Sequence, residues 1–353
     1  GARVPFKKYD IDYDALVYGS EEAPCVPVNS NHPLYILYTS GTTGKPKGIV
    51  RDTGGYAVAL KFSMKYIYNV KEGETFWAAS DMGWAVGHSY ILYGPLLNRN
   101  STIIFEGKPI KTPDASTFWR IIAEHKVGTM FTAPTAIRAI KKEDPDGEFI
   151  KQYDLSALKN QFLAGERCDN ATIEWYQQHI PIPVIDHWWQ TESGWPMVAN
   201  SLGIEQMLVK PGSATKAVCG YDIRIFNENG EELNANEEGL VVVKLPLPPG
   251  NMLGIWENET RFKASYFSKF DGYYLSGDGG YKDEDGYVFI TGRTDDVINV
   301  AGHRLSTAEM EEIVASHQSV AECAVIGIND ELKGQVPLAL VVTKLGNEIE
   351  QYQ

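Results

Sequence analysis

Ser40-Gly41-Thr42-Thr43-Gly44-Lys45-Pro46-Lys47-Gly48 directly follows a short apolar run, Leu34-Tyr35-Ile36-Leu37-Tyr38. The expected reading is a buried strand that opens into a glycine-rich loop. Gly41, Gly44 and Gly48 let the main chain curve tightly and turn N–H groups inward. The hydroxyls of Thr39, Ser40, Thr42 and Thr43 add hydrogen-bond donors, and Lys45 and Lys47 add charge. Such a loop suits a polyphosphate. A Walker loop needs a glycine five residues before its Gly-Lys pair and a Ser or Thr directly after it. Thr39 and Pro46 occupy those places, so this is a nucleotide loop of another kind. The rival reading, a plain surface turn, seldom combines four hydroxyls and two lysines behind an apolar strand.

Outward from this stretch, short apolar runs alternate with longer amphipathic ones. Strands are expected at Thr75 to Ala78, Thr102 to Phe105, Thr129 to Thr132, Gln161 to Leu163 and Val184 to His187. Helices are expected near Tyr56 to Tyr66, Ser89 to Leu97, Ser116 to Glu124, Thr135 to Ile140 and Ala171 to Gln178. The alternation predicts an α/β fold, a parallel-rich sheet flanked by helices, with ligands gathered beyond the carboxyl ends of its strands. From Ala217 to Ile290 the texture turns β-rich, with Asn-Gly, Pro-Pro-Gly and Asp-Gly turns, which predicts a small β unit. A helix over Thr307 to Ser316 and the runs Glu322 to Ile328 and Leu338 to Val342 look like the start of a smaller α+β domain that stops early. The expected division is 1–293 and 294–353.

The 353 residues, 43% hydrophobic and 22% charged, suit a globular chain of one large and one small domain. A net charge of −14 argues against nucleic-acid and anionic-membrane partners, which need a positive field. No stretch reaches the ~18 apolar residues of a membrane span. Cys25, Cys168, Cys219 and Cys323 are scattered without metal spacing and read as reduced thiols of an intracellular protein. Bacterial cytoplasm and mitochondrial matrix both fit, and the oligomeric state is left open.

Several later segments carry chemistry. Gly165-Glu166-Arg167 follows an expected strand and lies where a flat base can rest. Asp186-His187-Trp188-Trp189-Gln190-Thr191-Glu192 sets an apolar wall beside polar groups, although a Trp-Trp pair also reads as core packing. Glu192 offers an oxygen ligand to a magnesium ion carried by ATP phosphates. Gly277-Asp278-Gly279-Gly280 is either a ribose acceptor or an ordinary turn. Arg293 can donate to a ribose or an α-phosphate, Asp295 stands at the border of the two textures, and Gly302-His303-Arg304 adds a second guanidinium.

In this order the segments resemble the adenylate-forming superfamily of acyl-CoA synthetases, adenylation domains and luciferases, over nearly the whole chain. Tyr38 to Gly48 is similar to its phosphate-loop signature, Trp188 to Glu192 to its aromatic-x-Thr-Glu motif, Ser276-Gly277-Asp278 to its ribose motif, and Gly292 to Arg304 to its hinge-plus-CoA motif. Asp81 to Tyr90 and the double tryptophan resemble the short-chain branch. Thr132 to Arg138, Ala164 to Asp169 and Lys244 to Gly250 look closest to propionyl-CoA synthetases. The resemblance implies a two-step reaction, carboxylate plus MgATP giving acyl-AMP and then acyl-CoA. Propionate is the favoured acid, with acetate and butyrate or isobutyrate beside it.

The implied roles follow residue by residue. Thr39, Ser40, Gly41, Thr42, Thr43, Gly44, Lys45 and Lys47 would hold the β- and γ-phosphates. Gln190 and Thr191 would lie by the α-phosphate and Glu192 would bind magnesium, with Lys45, Thr191 and Glu192 as the catalytic set. Gly165, Glu166, Arg167, Asp186, His187 and Trp188 would surround adenine, and Asp278 and Arg293 the ribose. Trp189 would floor an acyl pocket lined by Ala85, Val86 and Ala164. Asp295 would be the hinge, and Gly302, His303 and Arg304 would meet coenzyme A. Two departures stand out: Arg167 replaces the proline of acetyl-activating relatives, and the family's Pro-x-x-Arg-x-Gly-Lys lysine has no counterpart after Arg304. The chain therefore reads as a central fragment, its amino-terminal portion absent. The competing readings are an adenylation domain loading a carrier thiol and a non-catalytic fragment that binds ATP or acyl-AMP.

Overall fold

The computed structural model describes residues 7–41, 44–294, 297–300, 303–315, 317, 319–330 and 333–343. The phosphate-loop stretch is mostly ladder. Strand β1 (Pro33–Gly41) pairs antiparallel with β2 (Gly44–Asp52), Gly41 opposite Gly44, so the described part of the motif lies in the two paired arms of a hairpin. The expected buried strand is a correction: Leu34 to Leu37 are half-buried and Tyr38 is exposed, because β1 is the outer member of a three-stranded sheet completed on the far side of β2 by Gly254–Ile255. After helix α1 (Gly54–Tyr66) come β3 (Thr75–Ala79), β4 (Ser101–Thr102), α2 (Thr117–His125), β5 (Val127–Thr132), α3 (Pro134–Glu143), β6 (Asn160–Leu163), α4 (Asn170–His179) and β7 (Val184–Asp186).

These strands form a parallel sheet in the order β4-β3-β5-β6-β7. Its two faces are read directly from the period-two alternation of strand side chains. Phe76, Phe131, Phe162 and Ile185 enter one buried cluster with α1, while Trp77, Met130, Leu163 and Val184 enter another with α2 and α4. All six residues of β5 are buried, as both-sided coverage demands. On α2, Phe118, Trp119, Ile121 and Ile122 supply the single apolar stripe that docks there. Asp169 caps α4 by accepting from the Thr172 N–H. Two element expectations change. The strand expected at Thr102 to Phe105 is only Ser101–Thr102, and the helix expected at Ser89 to Leu97 is a π-helical turn over Gly87–Tyr93 that passes into an α-turn at Gly94–Leu97.

The β-rich segment is a four-stranded antiparallel sheet, β8 (Ile223–Phe226), β9 (Gly239–Lys244), β10 (Tyr273–Lys282) and β11 (Val288–Arg293), in that order, with α5 (Glu259–Tyr266) ahead of β10. Gly277 to Gly280 lie inside β10 and not in a turn, and Asp278 stands opposite Arg293. Beyond it, β12 (Val297–Val300), β13 (His303–Ser306), α6 (Thr307–Ala315), β14 (Val320–Asp330) and β15 (Gly334–Thr343) form a sheet ordered β13-β12-β15-β14, with α6 against β14. Among the described residues no helix is long and apolar enough to cross a membrane.

Candidate functional site

The carboxyl ends of β6 and β7 deliver Gly165-Glu166-Arg167 and His187 to Glu192 to one edge of the parallel sheet, where such sheets collect ligands. The second of these segments is held from beneath by Arg51, on β2. Its guanidinium is wholly buried and donates to the carbonyl oxygens of Thr191, of Glu192 at 3.0 Å and of Gly250 at 2.6 Å, with its face on the Tyr56 ring. Gly194 closes the turn at φ +73, and a Cβ there would stand 2.6 Å from Arg51 Cζ, so the arginine and the glycine require each other.

A cavity of about 530 Å³ opens at this edge. Gly165, Glu166, Arg167, Asp186, His187 and Trp188 all border it, as do Trp189, Gln190 and Glu192, and Asp278 and Arg293 close it from the β-rich sheet. Thr307, Glu311 and Cys323 form its far wall. Gly165, at φ +101, has nothing within 4 Å of where a Cβ would be, which leaves the backbone bare for a flat ligand. Asp278 Oδ2 accepts from Trp188 Nε1 at 3.0 Å and from Gln190 Nε2 at 2.6 Å, while Oδ1 faces Arg293 Nη1 at 3.5 Å. Burial pushes the Asp278 carboxyl up to about 6 against the opposing pull of Arg293 and these donors. Gln190 is further fixed by Tyr274, whose hydroxyl donates to its Oε1 at 2.7 Å.

Two neighbours behave differently. Burial drives His187 down to about 4, so it is a neutral ring: Nδ1 donates to the Leu163 carbonyl at 2.6 Å and Nε2 accepts from the Tyr68 hydroxyl at 2.9 Å. Both ring nitrogens are thus spent on the protein. Asp186 is pushed up to about 8 by desolvation, opposed by the His187 and Cys168 N–H groups and the Arg167 charge. Glu166 is tied to Thr135 and to Arg138 Nη1 at 3.0 Å, and so braces the cavity rim.

A second cavity of about 650 Å³ lies beside the hairpin. Thr39, Lys47, Ala85, Thr191 and Arg261 border it, and Glu192 and Arg293 border both cavities. Lys47 Nζ donates to the Tyr266 hydroxyl at 2.7 Å, that hydroxyl donates to Glu192 Oε1 at 2.6 Å, and Lys47 stands 3.6 Å from the same carboxylate oxygen. Thr39 Oγ1 is buried and takes no hydrogen bond among the described residues.

The expected residues are not all gathered. Lys45 is exposed and borders neither cavity. Val86 and Ala164 are buried in the core cluster rather than along a cavity wall, whereas Trp189 lines the first cavity edge-on to Tyr90 at 5.5 Å and Ala85 lines the second. Ser40, Gly41 and Gly44 belong to the hairpin ladder, and His303 and Arg304 to β13. Thr42, Thr43, Asp295 and Gly302 lie outside the described residues. Sequence reasoning passed over Arg51, Tyr266 and Tyr274, none of which sits in a motif. Arg51 stands in a strand that already carries Lys45, Lys47 and Asp52, so its charge gave no signal. The four cysteines are free thiols.

A magnesium ion fits one place. Among the described residues no three His, Cys, Asp or Glu side chains gather to hold a metal, so a resident cage is not built here. Glu192 Oε1 is engaged by Tyr266 and Lys47, and the residue borders both cavities. One carboxylate oxygen beside room for phosphates is the donor set that a phosphate-borne magnesium uses.

Residues 3–256 match the family model of the AMP-binding enzyme, and residues 309–352 match that of the AMP-binding enzyme C-terminal domain. The chain is 55% identical over 336 residues to acyl-CoA synthetase short-chain family member 3, mitochondrial, of Mus musculus, covering 95% of this chain and 49% of that one. It is 48% identical over 345 residues to propionate–CoA ligase of Escherichia coli K12, covering 97% and 54%. The chain spans about half the length of the curated relatives it matches. Among solved structures, the anthranilate CoA ligase AuaEII in complex with anthranoyl-AMP superposes with a TM-score of 0.80 at 25% identity, over 94% of this chain and 60% of that one.

Proposed function

The chain belongs to the AMP-binding enzyme family, and from that premise we propose that it serves a short-chain acyl-CoA synthetase, with propionate as the preferred acid. The names of its relatives support thioester synthesis on short acids, and one of them names propionate. The observation that carries the reading is the position of Glu192, whose carboxylate borders both cavities. On one side is the hairpin's Lys47 and on the other the Trp188–Gln190–Asp278 network. We divide the chain at 293/294, where β11 ends and the smaller sheet follows, into a nucleotide-holding domain and a smaller one.

In this reading the base lies on Gly165 and against Trp188 in the first cavity. Ionised Asp278 accepts from the ribose hydroxyls through Oδ1, with Arg293 donating beside it. The phosphates run past Glu192 into the second cavity. There Lys47 and the otherwise unpartnered Thr39 hydroxyl meet the β- and γ-phosphates, assisted by Ser40, Thr42, Thr43 and Lys45 of the hairpin. Magnesium, when bound at Glu192, would offset phosphate charge. A carboxylate oxygen of the acid attacks the α-phosphorus, the bond to the β-phosphate oxygen breaks, and pyrophosphate leaves. Such a step depends on positioning and charge stabilisation. The coenzyme A thiolate then attacks the acyl carbon, the C–O bond to phosphate breaks, and AMP departs with the electron pair. Trp189 bounds the acyl chain, and Arg304 meets coenzyme A.

ATP–pyrophosphate exchange by the full-length enzyme across C2 to C6 acids tests this. Fastest exchange with propionate is expected. Faster exchange with another short acid would overturn the propionate assignment, and no exchange with any acid would overturn the reading itself.

A further inference from the structure

Tyr266 is the last residue of α5 and is almost wholly buried, yet it places its hydroxyl between two opposite charges. Lys47 Nζ donates to that oxygen at 2.7 Å, and the hydroxyl in turn donates a hydrogen bond to Glu192 Oε1 at 2.6 Å. Lys47 and Glu192 themselves remain 3.6 Å apart, longer than a direct charge-assisted hydrogen bond. The ring is clamped independently of the hydroxyl: it lies on Tyr274 with centroids 5.5 Å apart and planes at 23°, and edge-on to Phe262 at 6.1 Å. Tyr274 in turn fixes Gln190, and Gln190 fixes Asp278. The aromatic pair therefore runs beneath the whole site, from the hairpin lysine to the carboxylate of the first cavity.

We propose that Tyr266 is a positioning residue whose hydroxyl keeps Lys47 and Glu192 separated and aimed into the second cavity, so that they meet the outer phosphates of a nucleoside triphosphate instead of each other. The inference rests on the nucleotide-binding reading above. Without the hydroxyl, a cation and an anion already 3.6 Å apart close into a direct pair, and a triphosphate has to break that pair before it can bind. With it, Lys47 can turn to phosphate while the Tyr266 hydroxyl goes on donating to Oε1, which keeps the Glu192 carboxylate at the wall of the second cavity. The Trp188, Gln190 and Asp278 contacts of the first cavity do not involve the hydroxyl, so a nucleotide that ends at its α-phosphate gains nothing from it.

The test is a pair of calorimetric titrations on the full-length protein, magnesium–ATP and AMP, for wild type and Tyr266→Phe. Phenylalanine retains the ring stack and deletes one oxygen. Affinity for ATP is expected to fall about tenfold, the scale of a hydrogen bond to a charged group, while affinity for AMP stays within twofold and the melting midpoint is unchanged. In a Glu192→Gln background, removing the hydroxyl is expected to change ATP affinity less than twofold. Unchanged ATP affinity in the single variant overturns the proposal, and so does an equal loss for ATP and AMP. Wild type binding neither nucleotide would instead bring down the functional reading on which the proposal stands.

Discussion

Arg51 and Glu192 lie 141 residues apart in the chain, and the arginine Nη1 donates to the glutamate's carbonyl oxygen at 3.0 Å. The cation has no acid within its own hydrogen bonds; its acceptors are three main-chain carbonyls. It thereby fixes the backbone that carries Glu192, and leaves the glutamate side chain free for the cavities.

Arg51→Met is accordingly expected to strand the Thr191 and Gly250 carbonyls without donors in a sealed interior, while the Glu192 carbonyl keeps the Met252 N–H. Each orphaned group costs roughly 1–3 kcal/mol, so a total loss of about 3–5 kcal/mol is anticipated. Urea unfolding measures it, and Arg51→Lys should recover part. A loss below ~1 kcal/mol would show that the turn holds itself.

Asp278 makes pH a probe of the first cavity. Its folded pKa, near 6, lies above the ordinary carboxylate value of about 3.9, so between those limits the native state binds more protons than the unfolded one. Its contribution to stability is full below that window and is lost as pH rises through 6. Ligand binding runs the other way, because ribose hydroxyls are accepted by the ionised form. AMP affinity measured from pH 5 to 8 should rise with a midpoint near 6, and Asp278→Asn should flatten the curve. A flat wild-type profile removes Asp278 from ribose binding.

The hairpin lysines are separable. Lys47 borders the second cavity and Lys45 does not. Lys47→Ala is expected to weaken magnesium–ATP at least tenfold, and Lys45→Ala less than threefold, in titrations at fixed ionic strength. Equal losses would mean that the hairpin closes over the phosphates and brings Lys45 in.

Trp189 sets the chain-length prediction. Its ring is edge-on to Tyr90 and 6.2 Å from Phe131, so Trp189→Gly vacates a volume walled by core aromatics. One methylene is worth about 1–3 kcal/mol in such a pocket. The ratio of kcat/KM for hexanoate over propionate should rise at least tenfold. An unchanged ratio would exclude Trp189 as the floor.

The parallel sheet was legible because strand side chains alternate with period two and the helices between them carry one apolar face; Phe131 and Met130 show the two faces directly. The positions after β6 and β7 followed from the same pattern. The hairpin was not legible: glycine, lysine and hydroxyl content describes a loop and a twisted ladder equally well, and cross-strand pairing is a tertiary fact. Tyr266 and Arg51 were invisible for a related reason. Each draws its meaning from partners at least 74 residues away, and nothing in α5 or β2 marks one tyrosine or arginine above its neighbours. Val86 and Ala164 are small apolar residues that pack the interior and do not border either cavity.

Glu192 and Arg293 stand in the partition between two hollows, one negative post and one positive. A ligand that spans both meets the two charges, whereas a compact anion on the hairpin side stays within one cavity. On the proposed reading, a triphosphate severed at its middle would release its outer fragment from the hairpin side, and the nucleoside end would stay behind in the first cavity.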